Sequence, residues 1–142
     1  MSSIVHQRTL EIATRGRGFT DITREIAAVV ADSGAAVGLC SVFVQHTSAS
    51  LVIQENADPA VLRDLARWMD RLAPESDGYE HDAEGPDDMP SHLRSAVTRT
   101  GETIPIADRR LSLGTWQGVY VWEHRTAPHR RRVVVTVMGT GA

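Results

Sequence analysis

The chain has 142 residues, a formal net charge of −3 and a single cysteine, and all 15 of its basic residues are arginine. These values fit one domain, residues 1–142. They argue against a sequence-independent hold on nucleic acid, a disulfide framework and any mechanism needing a Schiff-base or P-loop lysine. No apolar run approaches the roughly 20 residues of a membrane span. The start MSSIVHQRTLEI lacks the parts of a signal peptide, so the expected compartment is the cytoplasm and no membrane partner is expected.

Alternation over residues 4–14 predicts a strand, turned at RGRGF. Thr20 or Asp21 then caps a helix to about Ser33, with Ile22, Ile26, Val29 and Val30 on one face and Gly34 as its stop. VGLCSVFVQHTS reads as a buried strand, with Cys40 a small buried hydrophobe, and SLVIQEN as a second short strand. Asp58 and Pro59 suit the cap and first turn of a helix through VLRDLARWMDRLA, whose apolar positions are Val61, Leu65, Trp68, Met69 and Leu72. Residues 75–89 have little periodicity and many acids and turn-formers, and a loop of that length in a small domain points to function. Pro90 opens a short helix, SHLRSAVTRT, closed by Gly101. The last third reads as strands ETIPIA, LSLGTW, GVYVWEH and RVVVTVMG, with turns at ADRR and RTAPHR. Hairpin-like neighbours of this kind predict an α+β fold rather than a doubly wound parallel sheet.

Three histidines carry the candidate chemistry. His46 stands where a buried strand runs out, between Gln45 and the hydroxyls of Thr47 and Ser48. His81 and His92 bracket HDAEGPDDMPSH, close enough to converge across one loop and the first turn of a helix. Three neutral imidazoles and a water make a catalytic zinc pattern, although this spacing matches no compact zinc signature. Among the surrounding acids, Asp82, Glu84, Asp87 and Asp88 can orient a ligand histidine. Glu123 ends an apolar strand and, if buried, needs an arginine, histidine or metal as partner. Gly114 and Trp116 in LGTWQG can shape a pocket. Arg109-Arg110 and Arg130-Arg131-Arg132 can grip phosphate, while a solvated turn is the ordinary alternative.

HTSASLVIQENADP, YEHDAEGPDDMPSHL and LSLGTWQGVYVWEHR, in this order and spacing, closely resemble the YjbQ family, the secondary thiamine-phosphate synthases. The resemblance spans nearly the whole chain. It implies a mainly antiparallel β-sandwich with about three helices, assembled as a homotrimer. It also implies a catalytic set of His46, His81, His92, Asp87 and Glu123, with the three histidines on a divalent metal. Zinc suits these ligands, and magnesium is the alternative. Thr47, Ser48, Asn56, Thr115, Trp116, Gln117 and Arg132 fall at positions expected to bind a phosphorylated small-molecule substrate; Glu55, Asp58, Glu84, Gly85, Pro90 and Gly114 complete the motifs. The sequence departs from the family pattern at Asp88, where asparagine is usual, and at Ser91, where alanine is. Asp88 replaces a neutral donor–acceptor with an anion that can itself ligate a cation. The implied reaction joins a hydroxymethylpyrimidine diphosphate to a thiazole phosphate. A metal-dependent hydrolase, or a non-catalytic module whose metal or anion braces a trimer, are the competing expectations.

Overall fold

Small and β-branched residues at alternate positions turn one face of each long strand inward, and that patterning builds two antiparallel sheets. A computed structural model describes residues 2–141. The elements are β1 (Ser3–Ala13), β2 (Gly18–Asp21), α1 (Thr23–Ser33), β3 (Val37–Val44), β4 (Ala49–Glu55), α2 (Pro59–Leu72), α3 (Asp88–Ala96), β5 (Gly101–Ala107), β6 (Arg110–Leu111), β7 (Gln117–Glu123) and β8 (Arg130–Thr140). One sheet has the order β1-β8-β3-β5-β6 and the other β2-β7-β4. Cys40, Val42 and Val44 of β3 and Val133, Val135 and Val137 of β8 meet Leu51 of β4 and Val119 and Val121 of β7. Ile26, Val29 and Val30 of α1 close the same core. The α+β sandwich with three helices is therefore the fold, and Cys40 is buried as expected. No helix among the described residues is long and apolar enough to cross a membrane.

Four local expectations give way. Thr20 and Asp21 lie in β2, paired with Val121 and Tyr120 of β7, and α1 starts at Thr23. The chain stays extended there because Phe19 stacks on Trp122, ring centroids 4.6 Å apart. Asp21 still meets the helix start, accepting from the Thr23 N–H at 2.9 Å. In LSLGTW only Leu111 lies in a strand; Ser112 still donates its N–H to the Pro105 carbonyl at 2.8 Å, and the segment beyond leaves the ladder. The third helix runs from Asp88 to Ala96 rather than opening at Pro90 and closing at Gly101. Pro90 sits in its first turn, where an N–H has no intrahelical acceptor to lose. On α2 only Met69 is fully buried, while Trp68 and Leu72 stay half exposed, so that helix is more peripheral than its periodicity implies.

The pairing of β4 with β7 fixes the layout of the site. Ala49 lies opposite Glu123 and Glu55 opposite Gln117. The HTS turn before β4 and the segment after β7 thus share one end of the three-stranded sheet. Asn56 and the GTW loop share the other, about 20 Å away at ~3.3 Å per residue.

Candidate metal centre

Asp88 and His92 are four positions apart on α3, so helical geometry puts both side chains on one face. The loop before α3 brings His81 to the same point, turning at Gly78 (φ 67°) and Gly85 (φ 103°), where a side chain would be strained. His81 Nε2 lies 2.6 Å from Asp88 Oδ2, and His92 Nε2 lies 3.3 Å from the same oxygen. The imidazole centroids are 5.4 Å apart. One donor atom from each of His81, Asp88 and His92 falls within 4.8 Å of the others. A tetrahedral zinc with bonds of about 2.0–2.1 Å spaces its donors about 3.3 Å apart. The His92–Asp88 separation already matches that, and the His81–Asp88 pair, at 2.6 Å, would widen by about 0.7 Å as a cation replaces the proton between them. Two imidazoles and one carboxylate suit zinc better than magnesium, which prefers oxygen.

The carboxylate at the centre is held from behind. Asp88 is almost fully buried, and its second oxygen, Oδ1, accepts from Arg125 Nη1 at 2.9 Å. Arg125 also donates from Nε to Asp87 Oδ2 at 2.8 Å and from Nη2 to the Glu84 carbonyl at 3.1 Å. Asp87 Oδ2 further accepts from the Thr126 N–H at 2.9 Å. The Ser91 hydroxyl reaches the Asp87 carbonyl (2.6 Å) and the His124 carbonyl (2.8 Å), clipping α3 onto the end of β7. Burial alone would raise the Asp88 carboxyl, but hydrogen bonding from His81 and the charge of Arg125 pull it below the ordinary aspartate value. The hydrogen bond to Asp88 raises His81 above 6.5. Asp87, buried yet bonded to Arg125 and Thr126, is held far below the carboxylate range. A shallow pocket of about 470 Å³, lined by Tyr79, Glu80, His81 and Met89, opens beside the cluster.

The other expected site residues divide by position. His46 does not join His81 and His92: its Nε2 accepts the Arg132 backbone N–H at 2.8 Å. A neutral ring bonded that way carries its hydrogen on Nδ1 and has no lone pair left for a metal. Burial, followed by the charge of Arg131, lowers its pKa and keeps the ring neutral. Thr47 and Ser48 stay with His46 around a separate pocket. Glu123, expected in the catalytic set, lies away from the His81–Asp88–His92 group. Glu123 is fully buried, and Thr14 (2.6 Å), Arg131 Nε (2.8 Å), Arg131 Nη2 and the Arg125 N–H (3.1 Å) saturate its oxygens. Burial would raise its pKa, but those donors lower it. Glu123 thus braces Arg131, and Asp87 braces Arg125; neither carboxylate is free to move a proton. Arg132 lies exposed on β8.

Asn56, Thr115, Trp116 and Gln117 sit at the far end of the sheet. The Asn56 amide donates to the Thr115 (3.2 Å) and Gln117 (3.4 Å) carbonyls, and the Gln117 side chain accepts from the Gly114 N–H (2.8 Å). Asn56 and Gln117 therefore hold the loop in shape, with Trp116 exposed at its tip. The residues missed as anchors are Arg125 and Arg131. Asp88, expected either to orient a ligand histidine or to add an oxygen ligand, stands in the donor set itself, four positions before His92 on α3.

A family model described as UPF0047 protein YjbQ-like matches residues 8–140. A UPF0047 protein of Synechocystis sp. is 59% identical over 136 residues, covering 94% of this chain and 92% of its own. The UPF0047 protein YjbQ of Escherichia coli O157:H7 is 42% identical, covering 94% and 98%. Among solved structures, a YjbQ/UPF0047 family protein of Clostridium acetobutylicum superposes with a TM-score of 0.82 at 34% identity, covering 92% and 98%. A YbjQ-like protein of unknown function from Sulfolobus solfataricus P2 reaches 0.90 at 22% identity, covering 98% and 100%, which supports the fold alone. Matched along nearly its whole length by both sequence and fold, the chain belongs to the YjbQ family of UPF0047 proteins.

Proposed function

We propose that the chain is a divalent-metal enzyme acting on phosphorylated small molecules, with a thiamine-phosphate synthase-like transfer as one of its reactions. The observation that carries this reading is the convergence of His81 Nε2, Asp88 Oδ2 and His92 Nε2 at the mouth of a pocket. Zinc is the metal their donor chemistry favours. When bound, it would supply positive charge against a leaving phosphate or diphosphate oxygen. Arg125 holds Asp88 Oδ1, so Oδ2 is the oxygen presented outward. Tyr79 and Met89 offer an aromatic face and a thioether edge, a wall suited to a flat heterocycle. Diphosphate-releasing enzymes ordinarily use magnesium, so the synthase reaction is placed second to an unidentified principal substrate.

The reading includes a homotrimer working in the cytoplasm, where phosphorylated metabolites are held. Supporting assembly, the outer face of the five-stranded sheet exposes Val5, Val37, Leu39, Phe43 and Met138, apolar side chains that neighbouring subunits would cover. Sedimentation should give three chains per particle, and Leu39→Asp should dissociate it. For catalysis, zinc-loaded wild type should convert hydroxymethylpyrimidine diphosphate and thiazole phosphate to thiamine phosphate and free diphosphate, and His92→Ala should not. Equal turnover by both proteins, or none by either, would remove the synthase. Metal uptake without turnover on any phosphorylated substrate would favour the bracing module.

A further inference from the structure

His46, freed from the metal centre, has a different task. Because its Nε2 is occupied by the Arg132 N–H, its one hydrogen is fixed on Nδ1, a donor with a set direction. Ser48 is prepared in a similar way. Its Oγ accepts from Arg131 Nη2 at 3.0 Å, which leaves the hydroxyl hydrogen to be given elsewhere. Thr47 adds a hydroxyl between them. These groups line a pocket of about 500 Å³ together with Phe43 and Thr100, and no acidic side chain lines it. The charges that bear on His46 are those of Arg131, Arg132 and His129, set against Glu123. Glu123 is fully buried and already bonded to Arg131.

From these contacts we infer that the His46–Thr47–Ser48 turn is a phosphoryl-binding subsite, separate from the His81–Asp88–His92 centre and independent of any metal. Donors fixed before the ligand arrives suit an oxyanion with several acceptor oxygens, because little ordering remains to be done on binding. Arg131 acts as a positioning residue: Glu123 holds it, and it in turn orients the Ser48 hydroxyl. The contrast with the acidic loop is chemical. The pocket beside Gly85 is lined by Glu75, Asp82 and His81, surroundings that draw a cation. Both places lie at the same end of the three-stranded sheet, since Ser48 accepts the His124 N–H at 3.2 Å and Ser91 bonds the His124 carbonyl. A substrate can therefore leave a phosphate on the turn and present another part of itself to the metal centre. That last step rests on the function proposed above; the binding of phosphate does not.

The test uses chelator-treated full chain, labelled with nitrogen-15 and titrated with inorganic diphosphate. The free protein should show His46 protonated on Nδ1 with Nε2 bare. Saturable shifts should then appear at His46, Thr47 and Ser48. His46→Phe should weaken binding about tenfold or more, the scale of losing one hydrogen bond to a charged group. His46→Asn, which keeps a donor, should recover part of that loss, and His81→Ala should change nothing. Should the His46 variants fail to fold, the wild-type tautomer and Thr47→Val still decide the matter. A hydrogen on Nε2, an absence of saturable shift at millimolar diphosphate, or shifts confined to Arg109–Arg110 would overturn the subsite. Failure of His81→Ala to lose metal would instead count against the metal centre and leave the subsite standing.

Discussion

Two carboxylates near the same end of the sandwich meet opposite fates. Glu123 is fully buried, and its oxygens receive donors from Thr14, Arg131 and the Arg125 backbone. Asp88 is nearly as buried, but only one of its oxygens is committed to an arginine. The other faces two imidazoles, His81 Nε2 at 2.6 Å and His92 Nε2 at 3.3 Å. The first arrangement is closed and structural. The second can exchange what it holds, and exchange is what a site requires. Completeness of hydrogen bonding, more than burial or residue type, separates them.

Breaking the closed network should have the larger effect on stability. Glu123→Ala strands the guanidinium of Arg131, which is 4% exposed, and should lower the unfolding free energy by about 3–5 kcal/mol in urea titrations. An apolar pair, Glu123→Leu with Arg131→Met, should lose far less than Glu123→Ala alone. Breaking the open network should do the reverse. His81→Ala and His92→Ala should leave the metal-free protein within about 1 kcal/mol of wild type while abolishing zinc uptake, as measured by titration calorimetry.

A smaller effect tests how the open site is held. Arg125→Met removes the donors behind Asp88 and should weaken zinc affinity about 10–100-fold without removing a ligand. Acidity gives the mildest and most graded test. The pKa of His81 is raised above 6.5 by Asp88, so the metal-free protein keeps that proton past pH 6.5. Zinc must displace it. Affinity should therefore climb as pH rises through and beyond 6.5, with a proton released on uptake, and it should fall on acidification. The proton's own contribution to folding has the matching sign: it is fully present below 6.5 and is lost as pH rises through the raised value. A pH-independent zinc affinity would mean that His81 is not a ligand.

Much of this was legible in the chain, and the parts that were not have a common cause. Strands β1, β3, β4, β7 and β8 declare themselves through alternating β-branched residues, whose pattern is local. Thr20–Asp21 and the segment after Leu111 depart from their local pattern because long-range contacts decide them: stacking of Phe19 on Trp122 for the first and the side-chain brace from Asn56 for the second. The pairing of His81 with His92 followed from their places around one loop. Asp88 was half seen, since taking Pro90 as the helix start hid its shared face with His92. His46 was assigned to the wrong partner because residue type does not reveal that a backbone N–H already occupies its Nε2. The need of a buried Glu123 for a cation was foreseen, but choosing Arg131 required the fold of the β7–β8 turn.

The metal centre proposed for this chain is His81, Asp88 and His92 without His46. Elemental analysis of purified protein, with single alanine variants at the four positions, tests it most directly. One zinc per chain is expected in wild type and in His46→Ala, and almost none in the other three. Zinc lost from His46→Ala, or retained in full by Asp88→Ala and His92→Ala, would contradict it.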